Sequence, residues 1–113
     1  MKRLFFVTIL LLVLSSAVFS GNVFIEDYES HAEVKVYVVD YESQADLCVY
    51  KADYESQARG DDGLWYFVDF DTQADVTIYF VDYESQADLK IYYVDYTSKA
   101  GWKKSHPLQG KLQ

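Results

Sequence analysis

The chain has 113 residues, and its 18 acidic against 10 basic residues give it a net charge of −8. That length suits one domain, and the charge argues against nucleic acid or anionic lipid as partners, since both are polyanions. One cysteine among 113 residues excludes a disulfide within the chain.

Residues 1–20 read as a signal peptide. Lys2 and Arg3 form a positive start, Leu4 to Leu14 is an apolar run, and Ser15 to Ser20 is rich in small residues, with Val18 and Ser20 placed for cleavage. The run is short for a membrane span, and an uncleaved N-terminal anchor is the alternative. Cleavage after Ser20 leaves 8 basic residues against 18 acidic ones, a charge of −10. The expected location is secreted or periplasmic, with no stable membrane span after cleavage.

From Asp27 onward the chain repeats itself. The motif Asp-aromatic-x-Ser/Thr-x-Ala begins at Asp27, Asp40, Asp53, Asp69, Asp82 and Asp95, at intervals of 13, 13, 16, 13 and 13 residues. A unit too short to bury its own apolar face must stack on its neighbours. Runs of strand composition lie between the motifs, such as Val34-Lys35-Val36-Tyr37-Val38-Val39 and Leu89-Lys90-Ile91-Tyr92-Tyr93-Val94. With partial strands at Val23–Ile25 and near Trp102, the pattern predicts an all-β domain over residues 21–104. It has about seven short strands in two pseudo-symmetric halves, since each motif in 27–58 maps onto 69–100 by adding 42. Residues 105–113 break the pattern and are expected to form a flexible tail.

Alternation within the strands predicts a shared core face of Val34 and Val36, Leu47 and Val49, Val76 and Ile78, and Leu89 and Ile91, each pair preceded by the motif alanine. The opposite face is mixed. Cys48 takes the place of Lys35, Thr77 and Lys90 there, which predicts a partly exposed thiol and allows a homodimer through it. Because 13 is odd, a continuous strand would turn each next unit inside out, so the connector must absorb one residue by a turn or bulge. The motif aspartate suits either backbone bonding in a tight turn or a helical cap.

Ten of the eleven tyrosines fall in two aromatic columns. One is Tyr28, Tyr41, Tyr54, Phe70, Tyr83 and Tyr96 in the connectors; the other is Phe24, Tyr37, Tyr50, Tyr66, Tyr79 and Tyr92 in the strands. Packing is the expected role of both, and a stacking platform for sugars or peptides is the alternative.

No constellation of catalytic residues stands out. His31 occupies a position held elsewhere by Gln44, Gln57, Gln73 or Gln86, and His106 lies in the tail. Asp61 and Asp62 could offer oxygens to calcium, but the loop lacks the spacing and final glutamate of a calcium loop, and solvated turn residues are the expectation. Arg59-Gly60-Asp61 spells an adhesion tripeptide, read here as chance. No catalytic, metal-binding or cofactor-binding residue is therefore assigned.

The repeated runs Ala45 to Asp53 and Ala87 to Asp95, with their Ala-Asp-Leu starts, resemble the septoil-knot domain family from about Val23 to Lys104. The resemblance implies an all-β domain tied in a seven-crossing torus knot, and it brings no biochemical activity with it. The expectation from sequence is an exported noncatalytic domain, structural or binding. The alternative is a carbohydrate- or peptide-binding module using exposed tyrosines or a strand edge. A calcium-binding module or an enzyme is less favoured.

Overall fold

A computed structural model describes residues 21–112; the signal segment read at residues 1–20 lies outside the described residues. Seven strands follow in order: β1 (Asn22–Ile25), β2 (Val34–Val38), β3 (Leu47–Lys51), β4 (Leu64–Phe67), β5 (Val76–Phe80), β6 (Leu89–Val94) and β7 (Gly101–Trp102). Six of them close into a parallel barrel in the order β4-β1-β5-β2-β6-β3, with β3 pairing back onto β4. β7 is the extra strand and runs antiparallel to β3.

Strands of the first half thus alternate with strands of the second. Parallel neighbours ordinarily need a long crossover, because the chain must travel back to the start of the next strand. The register shows why a short one suffices here. Ile25 ends β1 and Val34 begins β2, and both pair with Ile78 of β5. In the same way Val38 and Leu47 flank Ile91, Phe80 and Leu89 flank Val36, and Phe67 and Val76 flank Val23. Each hop joins residues i and i+9 at the same level, so the chain moves sideways over one intervening strand without going back. Nine is odd and the remaining four residues are an even stride along the strand. The connector therefore flips the pleat once per unit and every strand keeps the same face inward.

That inner face is the one read from alternation. Val36, Leu47, Val49, Leu89 and Ile91 are fully buried, and Val23, Val34, Val76 and Ile78 join them in one cluster. The interior also holds Trp65, the inward residue of β4, which is fully buried and donates its indole N–H to the Gly60 carbonyl at 3.2 Å. Because side chains fill the inside, the connectors must cross on the outside. The turns after β2, β3, β4, β5 and β6 lie against β6, β4, β1, β2 and β3 respectively.

Two sequence expectations are corrected. The sequence predicts a flexible tail over residues 105–113, yet Leu112 is buried in the core cluster and Leu108 packs against it. The sequence predicts a partly exposed Cys48, yet it is fully buried. Its outer face is covered because β7 pairs with β3 at Cys48 and the Thr97–Lys99 turn lies across the same strand.

Leu89→Ala removes a fully buried side chain shared between the two halves. It is expected to cost about 2–5 kcal/mol, read as a lower denaturation midpoint with an unchanged denaturant slope.

Candidate functional site

The six connectors are built alike. Each motif aromatic is extended, with φ between −126° and −136°. A one-turn 3-10 segment follows: Glu29–His31, Glu42–Gln44, Glu55–Gln57, Asp71–Gln73, Glu84–Gln86 and Thr97–Lys99. The N–H of its third residue donates to the aromatic's carbonyl at 3.0–3.1 Å, and the motif alanine's N–H donates to the first residue's carbonyl at 3.0–3.2 Å. The aromatic, not the aspartate, occupies the capping position, and among the described residues none of the six motif aspartates makes a side-chain hydrogen bond. Backbone bonding was the expected role of these aspartates; their carboxylates instead stand in water.

The aromatics stand out with them. Tyr28, Tyr41, Tyr54, Phe70, Tyr83 and Tyr96 are 64–68% exposed. Packing was their expected role, and it is corrected: connectors that cross outside a filled barrel turn these rings to solvent. The strand column, Tyr37, Tyr50, Tyr66, Tyr79 and Tyr92, is half-buried.

The carboxylates that hold the structure are different ones, at the position after each motif alanine. Asp88 donates its own N–H to the Lys35 carbonyl at 2.8 Å and accepts the Lys35 N–H on Oδ2 at 3.0 Å. Asp46 grips Lys90 in the same two-bonded way, Asp75 grips Asn22, and Glu33 grips Thr77. Each clamp ties one half of the chain to the other. Arg59 and Gly101 replace the acid in the remaining two units, where the parallel pattern also stops. The recurrence of an acid at 33, 46, 75 and 88 is visible in the sequence, but it lies on the mixed face, where alternation assigns no role.

The three places where the repeat breaks come together. In the Gly60–Asp62 turn, Asp61 accepts from the Trp102 indole at 3.3 Å and from the Gly110 N–H. Gly60 is buried so tightly that a Cβ there would lie 2.1 Å from the Leu112 carbonyl oxygen. Gly63 has φ +82°, and a Cβ on it would lie 2.3 Å from the Cys48 carbonyl oxygen. His106 stacks on Trp102 with ring centroids 5.5 Å apart; its Nδ1 accepts from the Leu108 N–H at 3.0 Å, and its Nε2 faces Asp46 Oδ2 at 3.6 Å. This region latches the tail to the barrel, and Asp61 is committed to that latch. Burial pushes the Cys48 thiol pKa up, Glu42 adds to the shift and Lys103 opposes it. Asp62 stays exposed, and His31 sits edge-on to Tyr28 at 5.7 Å.

Residues 20–103 match the family of the 7(1) septoil knot domain. The chain belongs to that family. Comparison with curated proteins and with solved structures gives no match. Among the described residues of this septoil knot domain, no three His, Cys, Asp or Glu side chains are grouped to hold a metal ion, and no helix is long and apolar enough to cross a membrane.

Outer grooves lie between connectors and the strands they cross. One of about 350 Å³ is lined by Asn22, Glu55, Tyr66, Asp69 and Gln73, among others. Another of about 100 Å³ is lined by Glu42, Tyr92, Tyr93, Asp95, Tyr96 and Lys99. Burial pushes the Tyr93 pKa from 10.0 to about 12, so the fold favours the neutral phenol. Its contribution to stability is therefore complete below pH 10 and is lost as pH rises from 10 to 12. Alkaline melting curves should fall over that window in the native chain and less steeply in Tyr93→Phe.

Proposed function

We propose that this septoil knot domain is an exported, noncatalytic binding module that takes carbohydrate or peptide on its outer connector surface. One observation carries the reading: six aromatic rings are 64–68% exposed while the core is complete without them. Large rings held mostly in water by a repeated, hydrogen-bonded turn cost solvation and stand outside the core cluster, which suits them to contact with something outside. Their preset backbone lowers the ordering cost of binding. The N-terminal segment supports export, and the acidic surface argues against nucleic acid as the ligand.

The same reading includes the finer topology. The two halves, related by a pseudo-two-fold arrangement, wind around each other as a seven-crossing torus knot. Support comes from the alternating strand order and from connectors of each half passing outside strands of the other. Such a frame holds the rings in place without disulfides.

Glycan and peptide arrays probed with the mature chain test the module. Binding is expected, and it should disappear in a Tyr41→Ser/Tyr54→Ser/Tyr83→Ser variant whose melting temperature stays within a few degrees of the parent. An absence of hits on both arrays, or hits untouched by the three substitutions, contradicts the proposal.

A further inference from the structure

The tail is fastened to the barrel around one ring. After β7 the Lys103 N–H donates to the Asp46 carbonyl at 2.8 Å, and three residues later His106 stacks on Trp102. Beyond that ring, Leu108 packs against the core cluster and Leu112 is buried in it. A groove of about 450 Å³ lies between Val34 of the barrel and Pro107 and Leu108 of the tail.

The two nitrogens of His106 have different tasks. Nδ1 accepts the Leu108 N–H at 3.0 Å. An acceptor nitrogen carries no proton, so this bond requires the neutral imidazole with its proton on Nε2. Nε2 faces Asp46 Oδ2 at 3.6 Å, and the two side chains are only 15% and 11% exposed. The same carboxylate oxygen accepts the Lys90 N–H at 2.9 Å, so the clamp between the halves fixes it in place.

A second proton can bind only Nδ1, where it meets the Leu108 N–H. Two donors then face each other, and the turn from His106 to Leu108 loses its bond. At the other nitrogen the charge acts in the opposite sense. An imidazolium is drawn to Asp46 and to the indole face of Trp102, which hold the ring where it is. The remaining charged groups around the ring are engaged elsewhere. Glu33 and Asp88 line the groove but clamp Thr77 and Lys35, Asp61 accepts from the Trp102 indole, and Lys103 pairs with Glu42. Protonation therefore divides the tail at His106: the part up to the ring stays fixed and the part beyond it loses its tie.

We propose that His106 is a pH-operated fastener of the tail. With the imidazole neutral, residues 107–112 are pinned over the end of the barrel. As pH falls through the range in which histidine gains charge, between about 8 and 5, the Leu108 bond is lost and this segment loosens. The groove above Val34 then widens. The connector rings play no part in the device, which stands apart from the binding role proposed for them.

Amide hydrogen exchange of residues 21–113, followed by NMR at pH 7.5 and pH 5.5 and corrected for intrinsic rates, tests it. The Leu108, Gly110 and Lys111 amides should open about fivefold or more often at pH 5.5, as a local opening beyond the ring. The Lys103 and Val39 amides, bonded to the Asp46 and Ile91 carbonyls, should change by less than about twofold. Long-range nitrogen spectra should show a bare Nδ1 on His106 at pH 7.5 that gains a proton over the same interval. His106→Asn offers a side-chain oxygen in place of Nδ1 and does not titrate, so its tail should open equally at the two pH values. Unchanged or rarer opening of the native tail at pH 5.5 overturns the inference and gives the Asp46 pair control of the whole tail. An equal pH response in His106→Asn, or a proton already on Nδ1 at pH 7.5, overturns it as well.

Discussion

The barrel depends on one register constraint: in the steps β1–β2, β2–β3, β4–β5 and β5–β6, the last residue of one strand and the first residue of the next pair with the same residue of the opposite half. Ile25 and Val34 meet at Ile78, and Val38 and Leu47 meet at Ile91. A chain obeying that rule can build a parallel barrel without helical crossovers, because no connector has to return along the strand. It must also place a strand of the other half between its own successive strands. Interleaving of the halves, crossings on the outside and a shared core all follow from the same nine-residue hop.

The acid clamps stabilise that register. Each of Glu33, Asp46, Asp75 and Asp88 engages both the N–H and the carbonyl of one residue across the halves. Sliding the strands by one residue would break both bonds and expose a buried row of Val, Leu and Ile, so polar and apolar terms select the same alignment. The pattern ends where the acid is replaced. At Gly101 the chain reverses into β7, and at Arg59 it turns through Gly60–Asp62 to begin the second half. There the tail closes over the end of the barrel, with Asp61 holding Trp102 and Gly110 and with Leu112 reaching the core.

Much of the fold was legible in the sequence. Alternation identified the inward residues from Val34 to Ile91 because a two-residue period is a local property of a strand. The odd interval of 13 residues pointed to a parity-changing connector. Pairing partners were not legible, since no local signal says that Val36 lies between Phe80 and Leu89. Burial of Cys48 and Leu112 was missed for the same reason: both are covered by segments distant in the chain. The connector rings were misjudged because a regular aromatic column looks the same whether it faces a core or water; only the outside path of the connectors decides it.

The division of labour between inside and outside follows. A filled barrel of aliphatic side chains and Trp65 supplies stability, and the connectors are left free to display rings and carboxylates in a fixed repeat. The interleaved pairing of the two halves is the feature on which the rest of the fold depends. Scalar couplings across backbone hydrogen bonds, measured by NMR on residues 21–113, report that pairing directly. Couplings from the Asp88 N–H to the Lys35 carbonyl, from Val39 to Ile91 and from Val81 to Val36 are predicted. Couplings that instead joined β1 to β2, or β5 to β6, would contradict it.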